Sequence, residues 1–392
     1  MGSVRILGTG SYLPPMILTN HDLEKRGLDT THEWIVQRTG ISERRIAAAG
    51  ETSSDLGYQA SLRALEMAGL TAAEMDLIVV ATITPDTCCP SAANWLQAKL
   101  NAPRAVTFDV TAACSGFIFA LNVAEQYLKN KTYKNVLVVA SEIMSRTLDW
   151  NDRSTCILWG DGAGAAVLTM GGNSHEILST HIHTDGANGQ DLLLPGGGSK
   201  TTPISHESVD KGLHYLNMIE ANLSFRVAVR RFIESIKEPL EYNHLDLKDV
   251  NWIIPHQANL RINQAFQKSM GLPGEKVFHN IQRYGNTTAA TIPMAYRMRV
   301  MDDSWKVYDI SIDGVSLVTS YRGTFAQEVR KGGISGLLDL TFFLVPEACF
   351  HAQACHADQG GQGNRENDGH IAIAAAKQTG KMYAPHTAQL AQ

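Results

Sequence analysis

Apolar and polar positions along the chain fall into two alternating patterns. The runs "DLIVVATI" (76–83), "AVTFDV" (105–110), "NVLVVASE" (135–142), "GAAVLTM" (164–170) and "NWIIP" (251–255) predict buried strands. Between them, "SDLGYQASLRALEMAGL" (54–70) and "FIFALNVAEQYLKNK" (117–131) repeat apolar residues at helical spacing and predict amphipathic helices. Strands alternating with helices imply an α/β fold with parallel pairing and both sheet faces covered.

A weak internal repeat refines this. "LTAAEMDLIVV" (70–80) aligns without gaps on "LDLKDVNWIIP" (245–255): a leucine, a short acidic helical stub, then an apolar strand. Each copy follows an amphipathic helix, which suggests two similar halves joined near Gly171-Gly172-Asn173. The expected organisation is a half over 1–171, a second over 172–325 and an atypical tail over 326–392. The last forty residues are polar, rich in glycine and glutamine and poor in aromatics, and read as disordered. Cys349, His351, Cys355 and His356 in that tail look superficially like metal ligands, but no second cluster completes a tetrahedral set.

Composition narrows the class. With 44% hydrophobic and 19% charged residues, the 392-residue chain has ample material for a large core. A net charge of −5 argues against non-specific nucleic-acid binding. No stretch is long and apolar enough to span a membrane, and "MGSVRILGTGSYLPP" carries no signal-peptide core, so a cytoplasmic protein is expected. Six cysteines in such a length are no disulfide framework.

One of them stands out. In "VTAACSGFI" (110–118), Cys114 follows a strand and small residues and precedes a helix. Unpaired N–H groups and the positive end of the helix dipole favour thiolate there. On that window alone a buried packing cysteine is an equal reading. Partners are available elsewhere: His256 directly follows the strand and proline of "NWIIPHQANLRI", and Asn286 lies in the Gly-Asn turn of "YGNTTAATIPMAY". Either alone is more often a surface or turn residue. Together, three such groups at strand ends fit one site beyond the carboxyl edge of a sheet. The glycine-rich "GDGAGAAVL" (160–168) reads as a loop feeding a strand and lacks the spacing of a dinucleotide fingerprint.

"TAACSGF", "PHQANLRI" and "GNTTAATIP" resemble the three signature segments of the 3-oxoacyl-acyl carrier protein synthase III family, initiating condensing enzymes of the thiolase superfamily. "ILGTGSYLP" (6–14), "EWIVQRTGISERR" (33–45) and "DRSTCILWGDGAGAAVL" (152–168) are similar too, so the resemblance runs from residue 3 to about 296. It implies a thiolase-like fold of two pseudo-duplicated, layered α/β halves in a homodimer. It makes Cys114 the nucleophile that accepts an acyl group from acyl-CoA, and His256 and Asn286 the pair that assists decarboxylation of malonyl-acyl carrier protein. Trp34, Arg38 and Arg153 would hold the CoA adenine, and Arg261 and Lys268, seven apart on a predicted helix, would dock the carrier protein. Cys88, Cys89 and Cys156 receive no catalytic role, and no metal or redox cofactor is implied.

After Tyr296 the resemblance stops. The glycine loop and Trp-Gly that close the family are replaced by "DGVSLVTSYRGTFAQEV". Codons available to residues 297–306, read two nucleotides out of phase, permit Asp-Glu-Gly-Asp-Gly-Arg-Leu-Met-Glu-Gly, the pattern the family has there. A frameshift is therefore the hypothesis, which the coding DNA decides. Two alternatives accompany the main expectation: a secondary-metabolism condensing enzyme with another acceptor, and an inactive homologue.

Overall fold

The computed structural model of the chain describes residues 3–171, 175–199, 203–218 and 221–295, together with backbone segments at 298–301, 304–307, 311–312 and 315–316. The expected tail 326–392, its Cys349, His351, Cys355 and His356, the "DGVSLVTSYRGTFAQEV" run apart from its short backbone segment, and Gly172-Asn173 lie outside the described residues. The chain divides into a unit that runs to Tyr296 and one that begins at Arg297. The described backbone of the latter forms two short hairpins, Met298–Met301 with Ser304–Val307 and Ser311–Ile312 with Val315–Ser316.

The first unit runs β1 (Val4–Tyr12), β2 (Met16–Thr19), α1 (Asn20–Lys25), α2 (His32–Thr39), β3 (Glu43–Ile46), α3 (Ser53–Ala68), β4 (Leu77–Ala81), α4 (Ala92–Leu100), β5 (Val106–Val110), α5 (Gly116–Lys129), β6 (Asn135–Glu142), α6 (Arg153–Cys156), β7 (Gly162–Met170) and β8 (Glu176–Ile177). It continues through α7 (His206–Asp210), α8 (Ala221–Tyr242), α9 (Leu260–Ser269), α10 (Ile281–Tyr284) and α11 (Thr291–Ala295). Six strands form one sheet in the order β5-β4-β6-β7-β1-β8. Pairing is parallel only among β5, β4 and β6; β7, β1 and β8 are antiparallel to their neighbours. The expected parallel sheet is thus a mixed one. Only β4, β5 and β6 are linked by helical crossovers, whereas β7 returns along β6 without one.

Alternate residues of β4 and β6 serve two cores. Leu77, Val79, Val136 and Val138 pack under α5, α8 and α9, while Ile78, Val80, Leu137 and Val139 pack under α3 and α4. Both faces are therefore covered, which is why these strands read as unbroken apolar runs. The run "NWIIP" forms only a bridge, Ile253 to Val277, rather than a multi-residue strand. Pro255 has no N–H to donate to a ladder, and the chain turns away there.

Strand β1 was not legible as a strand, because "LGTGSY" is glycine-rich. The glycines have a packing reason. A Cβ on Gly8 would overlap the Ala64 carbonyl, and one on Gly10 the Ala60 carbonyl, both in α3. α3 lies directly on the β1 backbone, with Ala60 and Ala64 fully buried.

The repeat is visible in detail. After α3, a 3-10 turn at Ala72–Glu74 is closed by Thr71 N–H to Glu74 Oε2 (2.8 Å) and leads into β4. After α8, a 3-10 turn at Leu247–Asp249 is closed by Asp246 N–H to Asp249 Oδ2 (2.9 Å) and leads to Ile253. Leu70 N–H and Leu245 N–H each reach back five residues, to Leu65 and Leu240. The acidic stub is a capping device used twice.

Gly10→Ala forces the α3 backbone off the sheet. Overpacking of this kind costs about 1–3 kcal/mol, and urea unfolding should show a clearly lowered midpoint; an unchanged midpoint would contradict the close packing.

Candidate active site

The site begins where β5 stops. Thr82 N–H donates to Val110 O at 3.2 Å, tying the ends of β4 and β5 together. Ala113 then takes φ +46°, a left-handed conformation that costs a non-glycine residue of order 1 kcal/mol or more. This tight bend opens a 3-10 turn at Ala113–Ser115 that runs straight into α5. Gly116 permits the approach, since a Cβ there would sit 3.1 Å from Ala81 Cβ and 3.3 Å from Ala289 Cβ.

Cys114 is therefore at a helix mouth, yet the expected thiolate-favouring balance is reversed. Burial, with a smaller contribution from Glu142, pushes its thiol up to about 12. The residue keeps a partly open surface, but the protein around its sulfur strips enough water to outweigh the helix's partial charge. In the unliganded chain the nucleophile candidate is a neutral thiol.

A second turn packs against the first. Asn286 N–H donates to Leu158 O (2.8 Å) and its carbonyl accepts from Gly160 N–H (3.0 Å). Its Oδ1 accepts from Thr288 N–H at 2.9 Å, which fixes the amide and leaves Nδ2 as the donor end. Thr288 has φ +52°, rare for a β-branched residue, and begins a 3-10 turn, Thr288–Ala290, that contacts the Ala113–Ser115 turn and leads into α11. Glycines of β7 seat this segment: a Cβ on Gly164 would lie 2.7 Å from Pro293 Cβ, and one on Gly162 2.9 Å from Met294 Sδ.

His256 follows the Ile253 bridge and is 5% exposed. Neither ring nitrogen has a hydrogen-bond partner. Burial lowers its pKa to about 4, so the imidazole is neutral at physiological pH. Ile253 and Ile254, just ahead of it, share one apolar cluster with Phe117 and Ala289, from beside the other two residues. Buried polar atoms without partners are uncommon and costly, and here they belong to a neutral acid–base group in a site lined by dipoles.

Three buried ionisable side chains missed in the sequence support the turns. Asp161 accepts from Ala47 N–H (2.7 Å), Ser145 N–H (2.9 Å) and Ser145 Oγ (2.6 Å). Arg44 donates to Leu18 O, Asn20 Oδ1 and Ile157 O beneath Gly160 and Gly285. Glu142, at the end of β6, accepts from Thr82, Ile83 and Thr84. The signal for Glu142 was in "NVLVVASE", where an acid closes a run with no solvent-facing position.

Trp34 in α2 lies beneath both Arg38 and Arg153, whose guanidinium carbons are 5.2 and 4.7 Å from its ring centroid. Arg153 also holds the Asp29 carbonyl and, at 3.2 Å, its carboxylate. Arg261 and Lys268 are exposed on α9, which packs beside α2 where Asn259 Nδ2 donates to Arg38 O at 3.1 Å. Cys88 and Cys89 are exposed in a loop and Cys156 is buried.

The Cys114 and Asn286 turns thus pack together in a mixed α/β scaffold, with the segment that leads to His256 in the same core, an arrangement suited to thiolase-like acyl transfer. The comparisons with known proteins agree. Family models for 3-oxoacyl-[acyl-carrier-protein] synthase III match residues 108–186 and, for its C-terminal part, 240–309, a little beyond Tyr296. The beta-ketoacyl-[acyl-carrier-protein] synthase III of Caldanaerobacter subterraneus is 48% identical over 328 residues, covering 83% of this chain and 97% of that protein. The synthase III structure from Aquifex aeolicus is 45% identical with a TM-score of 0.67, over 74% of this chain and 89% of that one. A priming beta-ketosynthase of the R1128 polyketide pathway is 36% identical with a TM-score of 0.65, over 74% and 86%. The chain belongs to the 3-oxoacyl-[acyl-carrier-protein] synthase III family, and is a condensing acyltransferase.

Without substrate, Cys114 should alkylate slowly at pH 7. Timed iodoacetamide labelling with peptide mass spectrometry is expected to modify exposed Cys88 and Cys89 first; Cys114 labelling ahead of them would contradict its desolvated, protonated state.

Proposed function

We propose that this chain condenses an acyl-CoA with malonyl-acyl carrier protein to give 3-oxoacyl-acyl carrier protein, the initiating step of fatty-acid synthesis. The observation that carries it is the packing of the Cys114 turn against the Asn286 turn at the end of the sheet, with His256 buried and unpartnered nearby in the same core.

Cys114 loses its proton as its sulfur attacks the acyl-CoA carbonyl; the tetrahedral adduct collapses, the CoA thiolate leaves and takes up a proton, and an acyl-enzyme remains. CoA is replaced by malonyl-acyl carrier protein. Loss of CO₂ moves an electron pair onto the thioester oxygen as an enolate. Neutral His256 donates one N–H to that oxygen and Asn286 Nδ2 a second, in a site dry enough to make each dipole count. The enolate carbon attacks the acyl carbonyl and Cys114 leaves as thiolate. This sequence requires no metal or redox cofactor.

Trp34 offers a stacking face for the CoA adenine, with Arg38 and Arg153 as cations around it. Arg153 already lies over that ring while holding Asp29, so it shifts to admit the purine and covers its far face. Arg261 and Lys268 present positive charge beside the same helix and suit an acidic carrier protein. A homodimer fits the edge of the sheet: among the described residues β5 pairs only with β4, while Val106 is 47% and Trp95 40% exposed alongside. No helix among the described residues is long and apolar enough to cross a membrane, and we place the reaction in the cytoplasm. A polyketide-priming role has the weaker support, since the polyketide relative is 36% identical against 48% for the synthase III above.

Cys114→Ser should form no acyl-enzyme from radiolabelled acyl-CoA, and persistent labelling would sink the assignment. His256→Ala and Asn286→Ala should still acylate but decarboxylate malonyl thioester about 10²–10³-fold more slowly.

The two binding regions separate kinetically. Trp34→Ala should raise KM for acyl-CoA about tenfold with kcat little changed. Lys268→Glu should raise KM for the carrier thioester alone, increasingly so at low salt. Interchanged effects would refute the placement of both.

A further inference from the structure

At the end of β6 lies a buried carboxyl that the reaction above does not use. Glu142 is 0% exposed, at the last position of β6, in the middle of the sheet. All its described partners lie on one loop. Thr82 Oγ1 donates to it at 3.2 Å, Ile83 N–H at 3.2 Å to each oxygen, and Thr84 Oγ1 at 2.6 Å. That loop is in turn sewn to its surroundings: Thr82 N–H holds Val110 O, Thr84 Oγ1 accepts from Ile143 N–H at 2.9 Å, and Ser53 Oγ holds Thr84 O. One carboxyl thus joins the ends of β6 and β4, and through Thr82 the end of β5, four residues before Cys114.

The geometry points to Glu142 as a positioning residue for Cys114: it fixes the strand ends from which the nucleophile turn departs, and its ionisation dampens the rise of thiol reactivity with pH. The inference rests on Cys114 being the nucleophile proposed above.

Two observations support the electrostatic half. Among the described residues no cation is paired with Glu142, and burial raises its pKa to about 8, against the pull of its donors. Its charge in turn raises the Cys114 thiol. Below about pH 8 the carboxyl is protonated and leaves the sulfur undisturbed; above it, a buried negative charge opposes a second one. Other groups packed around it do not titrate in that window. The 82–84 loop carries only hydroxyls and an isoleucine, the α3 end presents Ser53, and neither β7 nor the Thr288–Ala290 turn carries a titratable side chain.

The test follows the Cys114 peptide by mass spectrometry during iodoacetamide alkylation from pH 6.5 to 9.5. In the wild-type chain the logarithm of the rate should rise with pH and bend to a shallower slope near pH 8. Glu142→Gln keeps the volume and removes the charge. Its rate should match wild type at pH 6.5 and exceed it by about threefold or more at pH 9.5, the effect of half a pKa unit. A merely structural role would slow or speed both ends alike. An unbent wild-type profile would overturn the inference without any variant, should Glu142→Gln fail to fold. Superimposable profiles of folded wild type and variant would overturn it too. Neither result touches the acyl-enzyme assay, which alone decides whether Cys114 is the nucleophile.

Discussion

Desolvation governs the site. The ionisable groups gathered at the carboxyl end of the central strands are pushed towards their neutral forms: Cys114 to about 12, Glu142 to about 8, His256 to about 4. A charge created there lacks water and must be met by fixed dipoles. That suits a reaction whose difficult species is an enolate, because N–H donors such as Asn286 Nδ2 gain strength as water is excluded. The same dryness makes the resting thiol a poor nucleophile, so acylation depends on substrate arriving with its own carbonyl dipole and on the helix behind Cys114.

Close backbone approach is what makes such a dry site possible. Gly8 and Gly10 let α3 lie on β1, Gly162 and Gly164 let α11 lie on β7, and Gly116 lets the nucleophile helix lie against Ala81 and Ala289. Side chains at these points would separate the layers and admit water. Asp161 and Arg44 then secure the loops that glycine leaves free, each binding segments remote in sequence through buried hydrogen bonds. Such groups stabilise only when their bonding is well satisfied, and they specify one arrangement of loops over others.

The sequence made much of this legible and some of it not. β4 and β6 could be read because both of their faces are buried, which leaves continuous apolar runs; β5, at the sheet edge, was legible through its β-branched and aromatic residues. β1 could not, because its packing depends on the absence of side chains. The Ile253 segment looked like β4 and stops at one bridge because Pro255 follows. Cys114, His256 and Asn286 could be singled out by their positions after strands and in a glycine turn. The raised thiol was not foreseen: helix polarity is local and visible in sequence, whereas burial and the smaller effect of the Glu142 charge arise only when folding brings remote residues near. Trp34 with Arg38 is a local pair, but its second cation, Arg153, arrives through tertiary packing.

The weak internal repeat extends to the turns that carry Cys114 and follow Asn286. The offset that sets Leu70 on Leu245 also sets Ala113 on Thr288, and both take left-handed φ, +46° and +52°. Each begins a 3-10 turn, Ala113–Ser115 and Thr288–Ala290, and each turn runs straight into a helix, α5 and α11. The two strained turns pack against each other. Strain of this kind persists only where surrounding structure over-determines it, and here each copy is held by the other. One copy carries the sulfur at its second position. The other places an amide two residues ahead of its start, with Oδ1 bound to Thr288 N–H so that the donor end stays free. The likeness is confined to these turns and to the capped stubs at 72–74 and 247–249, for the six-stranded sheet is built wholly from residues 4–177.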